Sequence, residues 1–204
     1  MIIDALVLAG GRSSRLGGVP KSSLMIDGRS LLDTALGAAA FVRCCVVVGD
    51  DDVVAEAARR AAVTVVRESP PFAGPAAAIA AGVGELAARS SPASDFTLVL
   101  ACDMPRVDQA VRMLVAALRA DSDGAVAVSA DGRVQSLAAL YSTSGLVIAA
   151  HVHAGELENL SVRALLGDLH PDPVDVPAGS TDDIDTWDDA EEFGAHQHPT
   201  EERK

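Results

Sequence analysis

Leu8–Leu24 reads LAGGRSSRLGGVPKSSL, and it follows a short apolar run at residues 2–7, IIDALV. The run is too short for a helix and reads as a buried strand, so the polar stretch begins where that strand ends. Adjacent glycines there let backbone amides approach an anion with no Cβ in the way. Arg12, Arg15 and Lys21 follow within eleven residues of Gly10, enough positive charge to neutralise a polyphosphate, with arginine able to grip two oxygens at once. Spacing removes two common phosphate loops. A Walker A loop needs glycine before its lysine, and here Lys21 follows Pro20. The dinucleotide fingerprint needs G-x-G-x-x-G, and here Gly10-Gly11 is followed by Arg-Ser-Ser-Arg.

Working outward, apolar runs alternate with alanine-rich helical stretches. Strands are expected at Ile3–Leu8, Cys44–Val48, Val63–Arg67, Thr97–Ala101 and Ala125–Val128; helices at Ser30–Phe41, Val53–Ala61, Pro75–Arg89 and Val107–Ala120. This alternation predicts right-handed βαβ crossovers and a three-layer α/β/α fold, a mostly parallel Rossmann-like sheet with helices on both faces. The composition agrees: of 204 residues 49% are hydrophobic but only 3% aromatic, so Ala, Val and Leu must fill the core. In such sheets ligands bind beyond the carboxyl ends of the strands. The opening stretch, GDDD at 49–52 and CDMP at 102–105 all follow strands at that end.

Past Asp131 the pattern loosens. VQSLAALY (134–141) reads as a strand, Ser142–His153 and Ser161–Leu169 as helices, and DPVDVP (172–177) as an edge strand because of its prolines. DIDTWDDAEEF (183–193) reads as a final helix capped by Thr186. The polar end from residue 195 to 204 is expected to be a disordered tail, leaving residues 1–194 as one domain. The net charge of −13 argues against nucleic acid as a partner, since a phosphate backbone would be repelled. Three cysteines without a C-x-x-C, and no leader-like N-terminus, point to the cytoplasm. No apolar run reaches membrane-spanning length, so no membrane is expected as a partner. His151 and His153 read as surface or capping residues, and Asp50 or Asp51 as the cap of the next helix.

The residues Leu8-Ala-Gly-Gly-Arg-Ser-Ser-Arg-Leu-Gly, with Lys21 and Leu24, resemble the N-terminal signature of GT-A-like nucleotidyltransferases. Within that group they are most similar to the MobA-like molybdenum cofactor guanylyltransferase family. Further segments match in order: PPFAGPAAAIAAG (70–82), LVLACDMP (98–105), QSLAALY (135–141) and DIDTWDD (183–189). Pro20 stands where the family has an acid, Ser136 where it has a proline, and Trp187 replaces the proline of the last motif. The resemblance implies a nucleotidyl transfer. A phosphate on the acceptor attacks the α-phosphorus of an NTP and pyrophosphate leaves, with GTP and molybdopterin as substrates and molybdoenzyme-maturation proteins as partners. Relatives that use CTP, or acceptors such as 2-phospholactate or a sugar phosphate, remain open. So does a non-catalytic nucleotide- or pterin-binding paralogue. The cofactor implied is Mg²⁺, held by Asp103 and by a second carboxylate, Asp183 or, in preference, Asp185. Lys21 is implied on the α- or β-phosphate, Arg15 on the triphosphate, and Leu8, Ala9, Gly10, Gly11 and Gly74 around the nucleotide. Arg12, at a variable position of the pattern, reads as a solvated side chain. Gly82 and Pro75 read as parts of the nucleoside wall.

Overall fold

The computed structural model describes residues 1–197 apart from Arg12, Asp50, Asp51, Ala62 and Ser90. The expectations placed on Arg12, Asp50 and Asp51, and on residues 198–204 of the tail, therefore lie outside the described residues. Ile3–Leu8 forms β1, and from Asp4 onward every residue of it is buried. Leu6 and Leu8 pack into one core cluster, whereas Ala5 and Val7 join clusters on the other face, the two-residue alternation of a strand covered on both sides. Asp4 sits in this apolar run because Arg43 pairs with it, Nε on Oδ1 at 3.1 Å and Nη2 on Oδ2 at 2.7 Å. A bidentate charged pair offsets the desolvation that a buried carboxylate would otherwise suffer.

After β1 come a hairpin of β2 (Met25–Ile26) and β3 (Arg29–Ser30), then α1 (Leu31–Ala38), β4 (Cys45–Val48), α2 (Asp52–Ala61), β5 (Thr64–Val66), α3 (Pro75–Arg89) and β6 (Phe96–Ala101). The chain continues with α4 (Val107–Ala117), β7 (Gly124–Val128), β8 (Val134–Ser142), α5 (Thr143–Val152), α6 (Val162–Leu165), β9 (Asp172–Asp175) and α7 (Trp187–Glu192). Seven strands form one sheet in the order β5-β4-β1-β6-β8-β7-β9. Only β8 runs against the rest, pairing antiparallel with both β6 and β7. Ile79, Val83 and Leu86 of α3, Leu146 of α5 and Leu165 of α6 cover one face. Leu32 and Ala35 of α1, Val54 and Ala57 of α2, and Val107, Ala110, Val111 and Leu114 of α4 cover the other. The mostly parallel three-layer fold expected from the alternation is the one found. Among the described residues, no helix is long and apolar enough to cross a membrane.

The structure differs from the expectations in two elements. The helix read at Ser161–Leu169 shrinks to Val162–Leu165; Ser161 caps it, and Gly167, a weak helix former, lies in the turn that ends it. A hairpin was not expected at 25–30, although Asp27-Gly28 is a turn signal; both residues have positive φ, 50° and 77°. His196 exchanges two backbone hydrogen bonds with Met25, at 2.8 and 3.0 Å, and extends the small hairpin sheet. DPVDVP does supply the outermost strand, β9.

Candidate active site

The parallel register sets Leu8 beside Val48 and beside Ala101, so β1, β4 and β6 end on one rim. Beyond Leu8 the chain makes two tight turns, Ser14–Leu16 and Lys21–Ser23. Gly11 has φ 147° and Gly17 and Gly18 have φ 67° and 86°, values that favour glycine and let the chain fold back on the strand end. Pro20, with φ −59°, leads into the second turn, and its carbonyl accepts the Ser23 hydroxyl at 2.7 Å.

Apolar anchors decide which way the charged side chains face. Leu16, Leu24, Leu31, Ile184 and Ala190 form a separate small core joining the glycine loop to the segment before α7. Burying each Leu or Ile there is worth about 1.5–3 kcal/mol. With Leu16 turned inward, Arg15 stays at the surface, 70% of its side chain exposed. Ile184 is fully buried, and its N–H donates to the Asp103 carbonyl at 3.0 Å. Extended residues two apart face one way, so the acids flanking Ile184, Asp183 and Asp185, both turn toward Asp103. Asp185 is steadied by α7, where Thr186 and Asp189 form a capping box and Asp189 also accepts the Asp185 N–H at 3.0 Å.

The result is a charged cluster between β1, β6 and the α7 cap. Lys21 Nζ donates to Asp103 Oδ2 at 2.7 Å and to Asp185 Oδ1 at 2.5 Å, and Arg15 Nη1 donates to Asp185 Oδ2 at 2.9 Å. Carboxylate oxygens of Asp103, Asp183 and Asp185 lie within 4.8 Å of one another. Burial works against the Lys21 charge, but Asp103 and then Asp185 outweigh it, and the ammonium titrates above its ordinary value. Asp183 is pushed upward, first by desolvation of its carboxyl and then by the Asp103 and Asp185 charges, with Lys21 opposing. Asp103 does not cap α4: the cap position is Arg106, and no side chain closes it.

This cluster forms one end of a cavity of about 480 Å³, lined among others by Leu8, Ala9, Gly10, Gly11, Arg15, Lys21, Gly74, Asp103 and Asp185. These nine residues, all singled out from sequence, therefore meet in one place, within the roughly 300–1,000 Å³ range of small-ligand pockets, while Asp183 is not among the lining residues. Pro75 lines it too, whereas Gly82 does not. A Cβ on Gly82 would lie 2.7 Å from Leu6 Cδ2, so that glycine serves the approach of α3 to the sheet. A larger cleft of about 840 Å³, between the hairpin, α1 and α4, holds none of these residues. His151 and His153 stand at the end of α5, outside the cavity.

Sequence reasoning missed the opposite end of the cavity. Glu68 and Phe72, in the loop between β5 and α3, line it there. Glu68 is 8% exposed, and its Oε1 accepts the Phe72 N–H at 2.9 Å. Phe72 has φ 61°, rare for a bulky residue. The only sequence signal was an acid directly after a strand, in a stretch read for its G-P motif.

No curated protein sequence matches the chain significantly. Among solved structures, a nucleotidyl transferase from Methanothermobacter (Mth528) is 23% identical with a TM-score of 0.72, covering 94% of this chain and 95% of that one. Molybdopterin-guanine dinucleotide biosynthesis protein A from Archaeoglobus fulgidus is 20% identical with a TM-score of 0.67, over 93% and 96%. The manganese complex of Rv0371c from Mycobacterium tuberculosis is 22% identical with a TM-score of 0.61, over 95% and 98%. These likenesses show that the chain shares the fold of these three proteins. The model of one family matches residues 5–172, from β1 through to the edge strand, and by that match the chain belongs to the MobA-like NTP transferase domain family.

Proposed function

We propose that the protein transfers GMP from GTP to the terminal phosphate of molybdopterin and releases pyrophosphate, with a divalent cation. The observation that carries this reading is the Lys21 ammonium seated between Asp103 and Asp185 at one end of a glycine-floored cavity. Cations and carboxylates converge there as the transfer of a charged group requires, since such catalysis is mostly alignment and electrostatic stabilisation.

The donor set fits Mg²⁺ or Mn²⁺. Three hard carboxylate ligands with oxygens within 4.8 Å of one another compare with about 4.2 Å across an octahedral Mg²⁺ at ~2.1 Å per bond. Asp103 and Asp185 would hold the ion, with Asp183 completing the set. When bound, it neutralises phosphate charge and orients the α-phosphorus for attack. Gly10 and Gly11 present backbone to the phosphates, Lys21 and Arg15 supply cations, and the wall of Leu8, Ala9 and Gly74 excludes water. An acceptor phosphate oxygen forms the new bond to the α-phosphorus as the bond to the bridging β-oxygen breaks. The electron pair leaves with pyrophosphate, whose charge Lys21 and Arg15 offset. The Archaeoglobus and Mycobacterium neighbours, one bearing the molybdopterin-guanine dinucleotide name and the other solved with manganese, favour this choice of substrate and ion.

Glu68 favours guanine. β6 and β5 stand three strand spacings apart, ~14 Å at ~4.8 Å each, so phosphates at Asp103 leave the nucleoside at the Glu68 end. A buried carboxylate there accepts the adjacent N1–H and N2–H₂ donors of guanine, a pair that cytosine lacks. Pyrophosphate release should be measured with each of the four NTPs, with and without molybdopterin. Acceptor-dependent turnover greatest with GTP is expected. Turnover with CTP alone would overturn the base assignment but leave nucleotidyl transfer standing. Turnover only with a different phosphorylated acceptor would overturn molybdopterin.

A further inference from the structure

Aromatic residues are scarce in this chain, 3% in all, yet one is held at the nucleoside end of the cavity in a backbone conformation that bulky residues avoid. Phe72 has φ 61° and is 44% exposed. A conformation of that kind is strained and persists only where surrounding contacts impose it. The imposing contact is visible: the buried Glu68 accepts the Phe72 amide at 2.9 Å, fixing where the residue points. Phe72 lines the cavity. Arg67 stands over the Phe72 ring with its guanidinium 5.5 Å from the centroid. Arg67 does not line the cavity; it lines the groove between α3 and α5. One ring face is thus backed by a cation, and the ring belongs to the wall that a base would meet.

We infer that Phe72 is the stacking platform for the purine base of the nucleotide, polarised from behind by Arg67. This rests on the nucleotide-binding reading of the cavity and deepens it: Glu68 reads the edge of the base, Phe72 its face. An aromatic ring backed by a cation is electron-poor on its open face, which suits a large, electron-rich purine. Placing the edge reader and the face reader four residues apart in one loop, tied by a hydrogen bond, lets one conformation set both. Phe72 is a positioning residue and takes no part in bond making.

The test compares GTP and inorganic tripolyphosphate as ligands, by calorimetric titration of the full chain with Mg²⁺ present. Base–aromatic stacking is worth roughly 1–3 kcal/mol per base, so Phe72→Leu, which keeps apolar bulk, should weaken GTP binding about five- to a hundredfold. Tripolyphosphate, which has no base, should bind Phe72→Leu as it binds the wild type. Phe72→Tyr should rescue GTP binding, and Arg67→Ala should weaken it less than Phe72→Leu does. Unchanged GTP affinity in Phe72→Leu, with tripolyphosphate binding intact, would overturn the stacking role. Equal loss of both ligands would overturn it too, since that marks a merely structural residue. If the wild type bound neither ligand, the nucleotide reading itself would fall, an outcome distinct from either.

Discussion

In the structure a lysine occupies the place that the proposed metal needs. Lys21 Nζ lies 2.7 Å from Asp103 and 2.5 Å from Asp185, so its ammonium competes with a divalent ion for those carboxylate oxygens. Binding a metal without nucleotide must therefore expel Lys21 from both contacts, with no phosphate to receive it. A charge-assisted contact in a partly buried setting is worth about 1.5–3 kcal/mol, and the Lys21 and Asp103 side chains are only 22% and 18% exposed. Losing one such contact corresponds to about a ten- to hundredfold penalty on metal affinity. Lys21→Met removes the competitor while keeping the aliphatic stem. Nucleotide-free Mn²⁺ should then bind Lys21→Met at least tenfold more tightly than wild type at pH 7, read by electron paramagnetic resonance of free Mn²⁺. The same variant should bind GTP more weakly, because a phosphate contact is gone. The Lys21 pKa is raised, so its stabilising contribution is complete at pH 7 and is lost only as pH climbs past the ordinary lysine range through the folded-state value. Competition is thus at full strength in the assay. Mn²⁺ binding that stays unchanged or weakens in Lys21→Met would show that the ammonium and the ion do not compete for the same oxygens.

Other outcomes follow from the same geometry. Asp103→Asn should abolish pyrophosphate release while leaving the circular dichroism spectrum like wild type, since Asp103 makes no helix cap, and should lower the thermal midpoint by several degrees, since the Lys21 contact is weakened. Asp183→Asn should stabilise the nucleotide-free protein at neutral pH. The folded state raises the Asp183 pKa, so the ionised form is disfavoured there, and the gain should fade as pH falls and the native carboxyl takes up its proton; urea midpoints at pH 7 and pH 4 check this. The same variant should bind Mn²⁺ less tightly. Gly124→Ala should cost about 2–4 kcal/mol in urea unfolding, because φ is 135° and a Cβ would sit 1.9 Å from the Leu140 carbonyl oxygen; a midpoint equal to wild type would contradict the strand packing described.

What could be read from sequence was local. The apolar run of β1, the glycines after it, and Asp103 after the LVLA strand are signals carried by neighbours along the chain, and the structure brings them to one rim. Thr186 as a cap was legible for the same reason: its partner, Asp189, is three residues away. Contacts that close over long separations were not legible. Nothing near Met25 announces that His196 will pair with it, and nothing in VQSLAALY says that β8 will run antiparallel between β6 and β7. Asp183 and Asp185 could be ranked but not counted, because what turns both toward Asp103 is the buried Ile184 and its hydrogen bond to a residue some eighty positions earlier. Glu68 and Phe72 escaped notice because an acid and an aromatic in a proline-rich loop carry no periodicity. Their meaning comes from the cavity wall they share.

Nucleotidyl transfer is tested by following the fate of label from GTP. The protein should be incubated with Mg²⁺, molybdopterin and GTP labelled at either the α- or the γ-phosphate. α-Label should appear in the pterin product and γ-label in pyrophosphate, both lost in Asp103→Asn. Label that stays in GTP, or γ-label that moves to the acceptor while α-label remains in GDP, would contradict nucleotidyl transfer.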